Sequence, residues 1–356
     1  MNRSFTIATI GGDGIGPEVV DATIPVLETA AGLHQVTLDW DRLPLGADRY
    51  LATGETLTDT MFEHLRDDVD GILLGALGDP RVPGNEHARD ILLGLRFRLD
   101  LYVNYRPCTL LHPDLCPLKP DPATGRSPAI DFAIFRENTE GSYLGRGTAR
   151  DVGTDREEQI VEEVHTAPKV ERILRAGFSW AVEHRHSRVT VVDKANAIPG
   201  HRIWRRIAGE VHRDYPDLEL EFYYVDALAM ELVRDPVRFE VIITSNLFGD
   251  ILSDLGSQLI GGLGVAASGN LHPGRPGLFE PVHGSAPPLA GTGRANPLAT
   301  MLTGAIMLDE LGVPEAADAV RTAVAAALDA GHTTPDLGGS CTTHDVATWI
   351  LDHLTP

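Results

Sequence analysis

Strand-like and helix-like stretches alternate along almost the whole chain, and that alternation limits the fold more than any other feature. Phe5–Ile10, Val36–Trp40, Val69–Leu74, Ile130–Phe135, Val189–Val192, Leu218–Tyr224 and Val241–Ile243 are short apolar or alternating runs. Between them lie segments of helical periodicity: Pro17 to Ala31, Thr58–Arg66 with Thr58 as its cap, His87–Leu101, Thr166–His184, His201–Tyr215 and Ala227–Arg234. Asn296-Pro297 opens another helix to Leu311, and Pro314–Ala330 and Thr343–Leu354 follow. Asn104–Pro107 reads as a helix stop, Leu110–Ser127 as a Pro-rich loop, Gly145–Glu158 as an extended arm or hairpin, and Gly261–Gly277 as a Gly-rich loop. This order predicts an α/β protein. No internal repeat is visible.

The first strand runs into Gly11-Gly12-Asp13-Gly14-Ile15-Gly16, and Pro17-Glu18 then starts a helix. Strand, glycine turn and helix outline a dinucleotide fingerprint, but these glycines do not fit its spacing. The turn has a second explanation, that it needs only the backbone freedom of glycine. The net charge of −21 argues against nucleic acid and anionic membrane as partners. Three scattered cysteines, Cys108, Cys116 and Cys341, support neither a disulfide framework nor a zinc knuckle and fit a cytoplasmic protein. The N-terminal stretch has no long apolar region, so no signal peptide is expected, and no apolar run is long enough to span a bilayer.

Chemistry gathers where strands end. Asp250 and Asp254, four residues apart after the run Val241–Ile243, share one face of a helix. Two such carboxylates repel unless a cation lies between them or one is protonated, and Mg²⁺ prefers oxygen ligands. The alternative is a solvated acidic face. Other strands end at Arg136 to Tyr143, at Lys194 and at Asp226. Each has an ordinary reading: a solvated arginine, a lysine paired with Asp193, a tyrosine at the core edge, and Asp226 as the cap of the helix after it. Together they complete one chemistry. A metal-chelated 2-hydroxy acid loses its hydroxyl proton to a lysine and a hydride to a nicotinamide. The 2-keto acid then loses CO₂, and a tyrosine protonates the enolate carbon, while arginines hold the carboxylates.

At these residues the chain resembles the β-decarboxylating dehydrogenases, the isocitrate and 3-isopropylmalate dehydrogenase family. The motifs that carry the likeness are GGDGIGPEVV (11–20), ILLGAL (72–77), LGLRFRLDLYVNYRP (93–107), FRENTEGSYLG (135–145), VDKANAI (192–198), the block from Tyr224 to Gly256, and FEPVHGSAPPLAGTGRANPLA (279–299). The resemblance implies a two-domain fold with a mixed sheet flanked by helices, not a true Rossmann fold. Residues 1–103 with 262–356 would form the first domain and 104–261 the second, with an arm near 143–160 in a dimer interface. It implies Tyr143 and Lys194 as catalytic acid and base, and Arg96, Arg106 and Arg136 as grips on the malate carboxylates. Asp250 and Asp254 would be metal ligands, and Asp226 a metal and substrate contact that crosses with Lys194 from the partner subunit. Shared sites of this kind require a homodimer. Asn196 would lie near the nicotinamide; Ile15, His283, Gly284, Ser285, Ala286 and Asn296 would line the adenosine pocket.

Substrate choice in this family turns on the helix before Arg96. Leu92 stands where isopropylmalate enzymes meet the isopropyl group, and the text Asp90-Ile91-Leu92-Leu93 lacks the Ser and Asn of isocitrate enzymes. The resemblance therefore implies oxidative decarboxylation of a 3-substituted (2R)-malate, foremost 3-isopropylmalate to 2-oxoisocaproate in leucine biosynthesis, with Mg²⁺ or Mn²⁺. Tartrate or D-malate dehydrogenases, and a specialised-pathway enzyme acting on another substituted malate or homoisocitrate, are the alternatives. NAD-using members usually carry Asp after HGSAP, where this chain has Pro288; Ala295 is the NAD-like residue. NAD is the expected cofactor, with NADP the alternative. The tip Gly78–Val82 also lacks the family's usual P-K-W-D text. Two further classes compete: a metal-dependent hydrolase on the Asp pair, which leaves Lys194 and Tyr143 idle, and a non-catalytic paralogue, motivated by Pro288.

Overall fold

The computed structural model describes residues 3–121 and 123–356. In chain order, β1 (Arg3–Gly12) leads into α1 (Gly16–Leu33), and β2 (Val36–Arg42) is followed by α2 (Ala47–Thr53) and α3 (Asp59–Asp67). Then come β3 (Gly71–Ala76), α4 (Glu86–Arg98), β4 (Val103–Thr109), β5 (Asp131–Glu137), β6 (Gly147–Arg150) and β7 (Glu158–Val161). The middle of the chain continues through α5 (Ala167–Glu183), β8 (Arg188–Asp193), α6 (Arg202–Val211), β9 (Glu219–Tyr224), α7 (Val225–Arg234), β10 (Val241–Thr244) and α8 (Asn246–Leu259). The last elements are β11 (Gly269–Leu271), β12 (Gly277–Phe279), α9 (Leu298–Glu310), α10 (Pro314–Asp329) and α11 (Thr343–His353).

Local chemistry sets many of these boundaries. Pro17 sits in the first turn of α1, where a missing N–H costs nothing. The Thr58 hydroxyl accepts from Met61 N at 3.3 Å and so caps α3. Thr342 and Asp345 form a reciprocal capping box on α11. Three places differ from the sequence pattern. Asn104–Pro107 belongs to a strand, β4, rather than a helix stop. The Gly-rich stretch 261–277 contains β11, whose Gly269 packs against Ile306 and Phe279. The short helix α2 carries too few apolar residues to show a period; only Ala47 is buried.

The chain divides into two compact units, Met1–Leu101 with Thr109–Pro128 and Ser257–Pro356, and Tyr102–Cys108 with Ala129–Gly256. Residues 109–128 thus group with the chain ends, whereas the family resemblance implies a second domain of 104–261. The first unit has strand order β2-β1-β3-β12-β11. Its neighbours are parallel except β11 and β12, which run antiparallel, so the sheet is mixed and departs from the Rossmann order. Helix α9 is buried all round, from Leu298 to Leu308, and packs on α1 and α10. Each large apolar side chain so buried contributes roughly 1.5–3 kcal/mol.

The glycine turn after β1 is explained by close packing. Gly12 and Gly14 have φ of 75° and 59°, and a Cβ on either would lie 1.9 Å from a carbonyl oxygen, of Ala76 and Ser285 respectively. Between them Asp13 is buried. Its carboxylate accepts from Ala47 N at 2.6 Å and Gly78 N at 2.7 Å, and pairs with His87 Nε2 at 2.7 Å.

In the second unit the strand order is β4-β5-β10-β8-β9, with β5, β10, β8 and β9 all parallel. Strand β10 is wholly buried. The register aligns Thr244 with Arg136 on one side and Val192 on the other. The carboxyl ends of three strands therefore come level, and Arg136, Lys194 and the start of α8 share one sheet edge. β6 and β7 pair as a separate, fully exposed antiparallel ribbon, resolving the arm-or-hairpin stretch as a hairpin. Among the described residues no helix is long and apolar enough to cross a membrane.

Candidate active site

The aspartate stretch forms a polar stripe on α8. Asn246, Asp250, Ser253 and Asp254 recur at helical spacing, and each meets an arginine from β4 or β5. Arg136, at the end of β5, is 1% exposed. Its Nε and Nη2 donate to Asn246 Oδ1 at 3.0 and 2.7 Å, and its Nη1 donates to Asp250 Oδ1 at 2.5 Å. Gly249 makes this possible: a Cβ there would lie 2.5 Å from Arg136 Cγ. Tyr143 donates its phenolic proton to Asp250 Oδ2 at 2.9 Å. Arg106, from β4, donates to Asn104 Oδ1 at 2.7 Å and Ser253 Oγ at 2.6 Å, and reaches Asp254 Oδ1 at 3.4 Å.

The site is thus a carboxylate pair backed by two buried guanidiniums. Buried arginines are costly unless their donors are filled, and here carbonyl, hydroxyl and carboxylate oxygens fill them. Asp254 remains open, its side chain 59% exposed. Partial burial, and secondarily the charge of Asp250, push its carboxyl upward, with Arg106 opposing.

Lys194 lies just past β8 and pairs through Nζ with Asp226 Oδ1 at 2.5 Å. That ammonium holds the Asp226 carboxyl below the usual range. Asp226 does not cap α7; the N-cap is Tyr224, and Asp226 sits inside the first turn with its side chain 65% exposed. The three aspartates do not gather within one chain. Among the described residues, the cluster whose metal-binding atoms all lie within 4.8 Å is Glu163, His165 and His201. Asn196 is exposed in the turn after Lys194.

In the first unit, Arg96 is buried and donates to Glu280 Oε1 at 2.6 Å, and Glu280 also accepts from Asn270 at 3.0 Å. Leu92 packs at the edge of the core built by Ile91 and Leu95. The HGSAP loop is tied to the glycine turn: Ile15 N donates to Ser285 O at 2.8 Å, and Ser285 Oγ donates to Gly78 O at 2.5 Å. Ile15 clusters with Val19, Ala295 and Ala286 as an apolar nest. Ala286 takes a left-handed backbone, φ 38°, and Gly284 is exposed beside it. His283 Nδ1 donates to Gly284 O at 3.0 Å, and its Nε2 is buried without a partner; burial lowers its pKa. Asn296 is fixed by Asp336 at 2.9 Å and by Leu298 N at 3.0 Å. Pro288 lies in a short 3₁₀ turn.

The structure therefore brings together Arg106, Arg136, Tyr143, Asp250 and Asp254, pairs Lys194 with Asp226, and joins Ile15 to the HGSAP loop. Sequence reasoning missed Asn246 and Ser253, although the stripe they share with the aspartates is visible at helical spacing. It also missed Glu280, His87, and the trio Glu163, His165 and His201. The trio depends on a contact between distant segments that no local pattern shows.

Comparison with known proteins places this architecture. The isocitrate/isopropylmalate dehydrogenase family matches residues 6–350. The 3-isopropylmalate dehydrogenase of Beutenbergia cavernae is 45% identical over 91% of this chain and 92% of its own. That of Thermobifida fusca is 45% identical over 91% of both. Among solved structures, isocitrate dehydrogenase from Methylococcus capsulatus superposes with a TM-score of 0.87 at 36% identity, covering 98% of this chain and 99% of that one. A β-decarboxylating dehydrogenase from Thermococcus kodakarensis gives 0.79 at 34% identity, covering 98% and 96%. The chain belongs to the isocitrate/isopropylmalate dehydrogenase family, a class of decarboxylating dehydrogenases.

That family implies a nicotinamide cofactor and a divalent metal, and the residues fit both. The unpartnered, buried Nε2 of His283, in the same loop as Ala286 of the nest with Ile15 and Ala295, suits one polar contact to a heteroaromatic ring laid on apolar side chains. The half-exposed carboxylate of Asp250 and the exposed one of Asp254 are the hard oxygen donors that a divalent cation takes.

Proposed function

We propose that the chain oxidatively decarboxylates 3-isopropylmalate to 2-oxoisocaproate and CO₂, using NAD and Mg²⁺ or Mn²⁺. One observation carries the reading: Asp250 is held at once by a buried arginine and a tyrosine hydroxyl, with a second carboxylate four residues on. Asp250 and Asp254, with Asp226, are assigned as the metal's ligands. The cation, when bound, draws charge from the substrate oxygens, and the nicotinamide accepts the hydride.

Lys194 Nζ, as the free amine after its ammonium proton has left to solvent, takes the proton of the substrate hydroxyl. Arg106 and Arg136 hold the carboxylates, and they are preset because their stems are buried and their other donors are filled. Tyr143 delivers its proton to the carbon that has lost CO₂. Arg96 and Leu92 are assigned to a carboxylate and to the isopropyl group. Ile15, His283, Gly284, Ser285, Ala286 and Asn296 are assigned to adenosine, and Asn196 to the nicotinamide side.

Asp226 pairs with Lys194 rather than with the other aspartates, which supports a homodimer whose sites draw on both subunits. Exposed apolar side chains on α7 and α8, among them Met230 at 68%, Val233 and Ile251, support the same reading. The free cysteines suit a reducing cytoplasm. NADH absorbance with Mn²⁺ and 3-isopropylmalate, D-malate, tartrate, isocitrate and homoisocitrate tests the substrate assignment. The highest kcat/KM is expected for 3-isopropylmalate; a higher value for any other would replace it.

A further inference from the structure

Where β8 ends, the chain turns sharply at Lys194. The Lys194 carbonyl accepts from Ala197 N at 3.0 Å and Ile198 N at 2.8 Å. Its own N–H, beyond the last β8 residue, donates to Nδ1 of His201 at 3.2 Å. The His201 ring is buried, with Phe248 at 5.3 Å and the edge of His165 at 4.9 Å between centroids. Its other nitrogen, Nε2, lies 3.0 Å from Glu163 Oε2. Glu163 and His165 are two apart in the stretch between β7 and α5, and His165 Nε2 is 3.3 Å from Glu163 Oε1.

Two histidines and a carboxylate this close suggest a metal, but the hydrogen bonds oppose it. A neutral imidazole that binds metal through Nε2 carries its proton on Nδ1. Here that proton would face the N–H of Lys194, donor against donor. The other tautomer satisfies both ring nitrogens of His201: Nδ1 accepts from Lys194, and Nε2–H donates to Glu163. The Glu163 carboxyl, held down to about 2 by His165 and His201, stays a charged acceptor.

We propose that Glu163 and His201 are positioning residues for Lys194. The Glu163 carboxylate selects the His201 tautomer whose Nδ1 captures the Lys194 N–H, and this fixes the backbone from which the lysine reaches Asp226. The inference rests on the assignment of Lys194 as the base. A lysine stem has many rotamers, so the position of Nζ depends on where its backbone is anchored. Loosening that anchor spreads Nζ away from the reacting proton without removing any group that binds substrate.

Steady-state kinetics and substrate dissociation constants of single and double variants test the proposal. Lys194→Met is expected to be inactive. His201→Leu and Glu163→Ala are expected to lower kcat about 10-fold while KM and the dissociation constant shift less than about 3-fold. His201→Asn, whose amide oxygen replaces Nδ1, and Glu163→Gln, whose amide oxygen still accepts, are expected to keep kcat within about 3-fold of the parent. Glu163→Ala added to His201→Asn is expected to cost nothing further, because Glu163 acts only through the ring. An inactive Lys194→Met beside fully active His201→Leu and Glu163→Ala would overturn this proposal alone. An undiminished cost of Glu163→Ala in the His201→Asn background would also overturn it, and does so even where His201→Leu fails to fold. Turnover by Lys194→Met would overturn the base assignment and this proposal with it.

Discussion

Arg136 and Asp250 are locked together at 2.5 Å, and the lock depends on the glycine before the aspartate. The guanidinium stem lies where a side chain at residue 249 would be. Gly249→Ala should therefore displace Arg136, destabilise the protein by about 1–3 kcal/mol and raise the substrate KM. Urea unfolding and steady-state kinetics on the same preparation check both effects.

Asp250→Asn keeps the shape of the side chain and removes the charge that faces Arg136 and that the proposed function assigns to the cation. Turnover should fall by at least about 100-fold. The mass of the assembly in solution should not change, because Asp250 sits against its own chain's arginine and tyrosine.

The shared-site reading makes a sharper prediction. Asp226→Asn and Asp250→Asn homodimers should each be inactive, and mixing their subunits should restore activity at the one site that receives both intact carboxylates. Rescue is measured after co-expression or subunit exchange. No recovery in verified mixed dimers would contradict the sharing of sites.

Much of this site was visible in the sequence, for physical reasons. Strand ends that carry Arg136, Lys194 and the start of α8 are recognisable because buried parallel strands are short, apolar and sharply bounded. Asp250 and Asp254 share a face by helical periodicity alone. The period-two glycines after β1 do not fit the spacing of a dinucleotide fingerprint, and the structure gives a packing reason for two of them: Gly12 and Gly14 are pressed against the carbonyls of Ala76 and Ser285. What stayed hidden depends on contacts between distant segments. Asp226 lies within the first turn of α7 rather than capping it, which depends on where the backbone enters the helix. The strand β4 was hidden because Pro107 argues against a strand. Glu163 and His201 are 38 residues apart and meet only in the fold.

Glu163 also gives a pH signature. Its carboxyl is depressed to about 2 in the folded chain by His165 and His201, from an ordinary value of 4.5. A depressed carboxylate stabilises the fold fully above its unfolded pKa, and that contribution is lost as pH falls through the folded one. The drop in urea midpoint between pH 5 and pH 3 should be smaller in Glu163→Gln than in the parent protein, beyond the scatter of repeat titrations.

The family resemblance puts Pro288 where NAD-using members carry an aspartate that accepts from ribose hydroxyls. Pro288→Asp should lower the KM for NAD about 5–10-fold, the worth of roughly one to two hydrogen bonds, and leave kcat near its starting value. Kinetics with NAD and NADP in parallel check it.

The most direct test of the whole account is the balance of products from 3-isopropylmalate with NAD and Mn²⁺. NADH and CO₂ should appear in equal amounts, and both should stop when the metal is chelated. NADH without CO₂, or no NADH at all from folded protein, would contradict oxidative decarboxylation of this substrate.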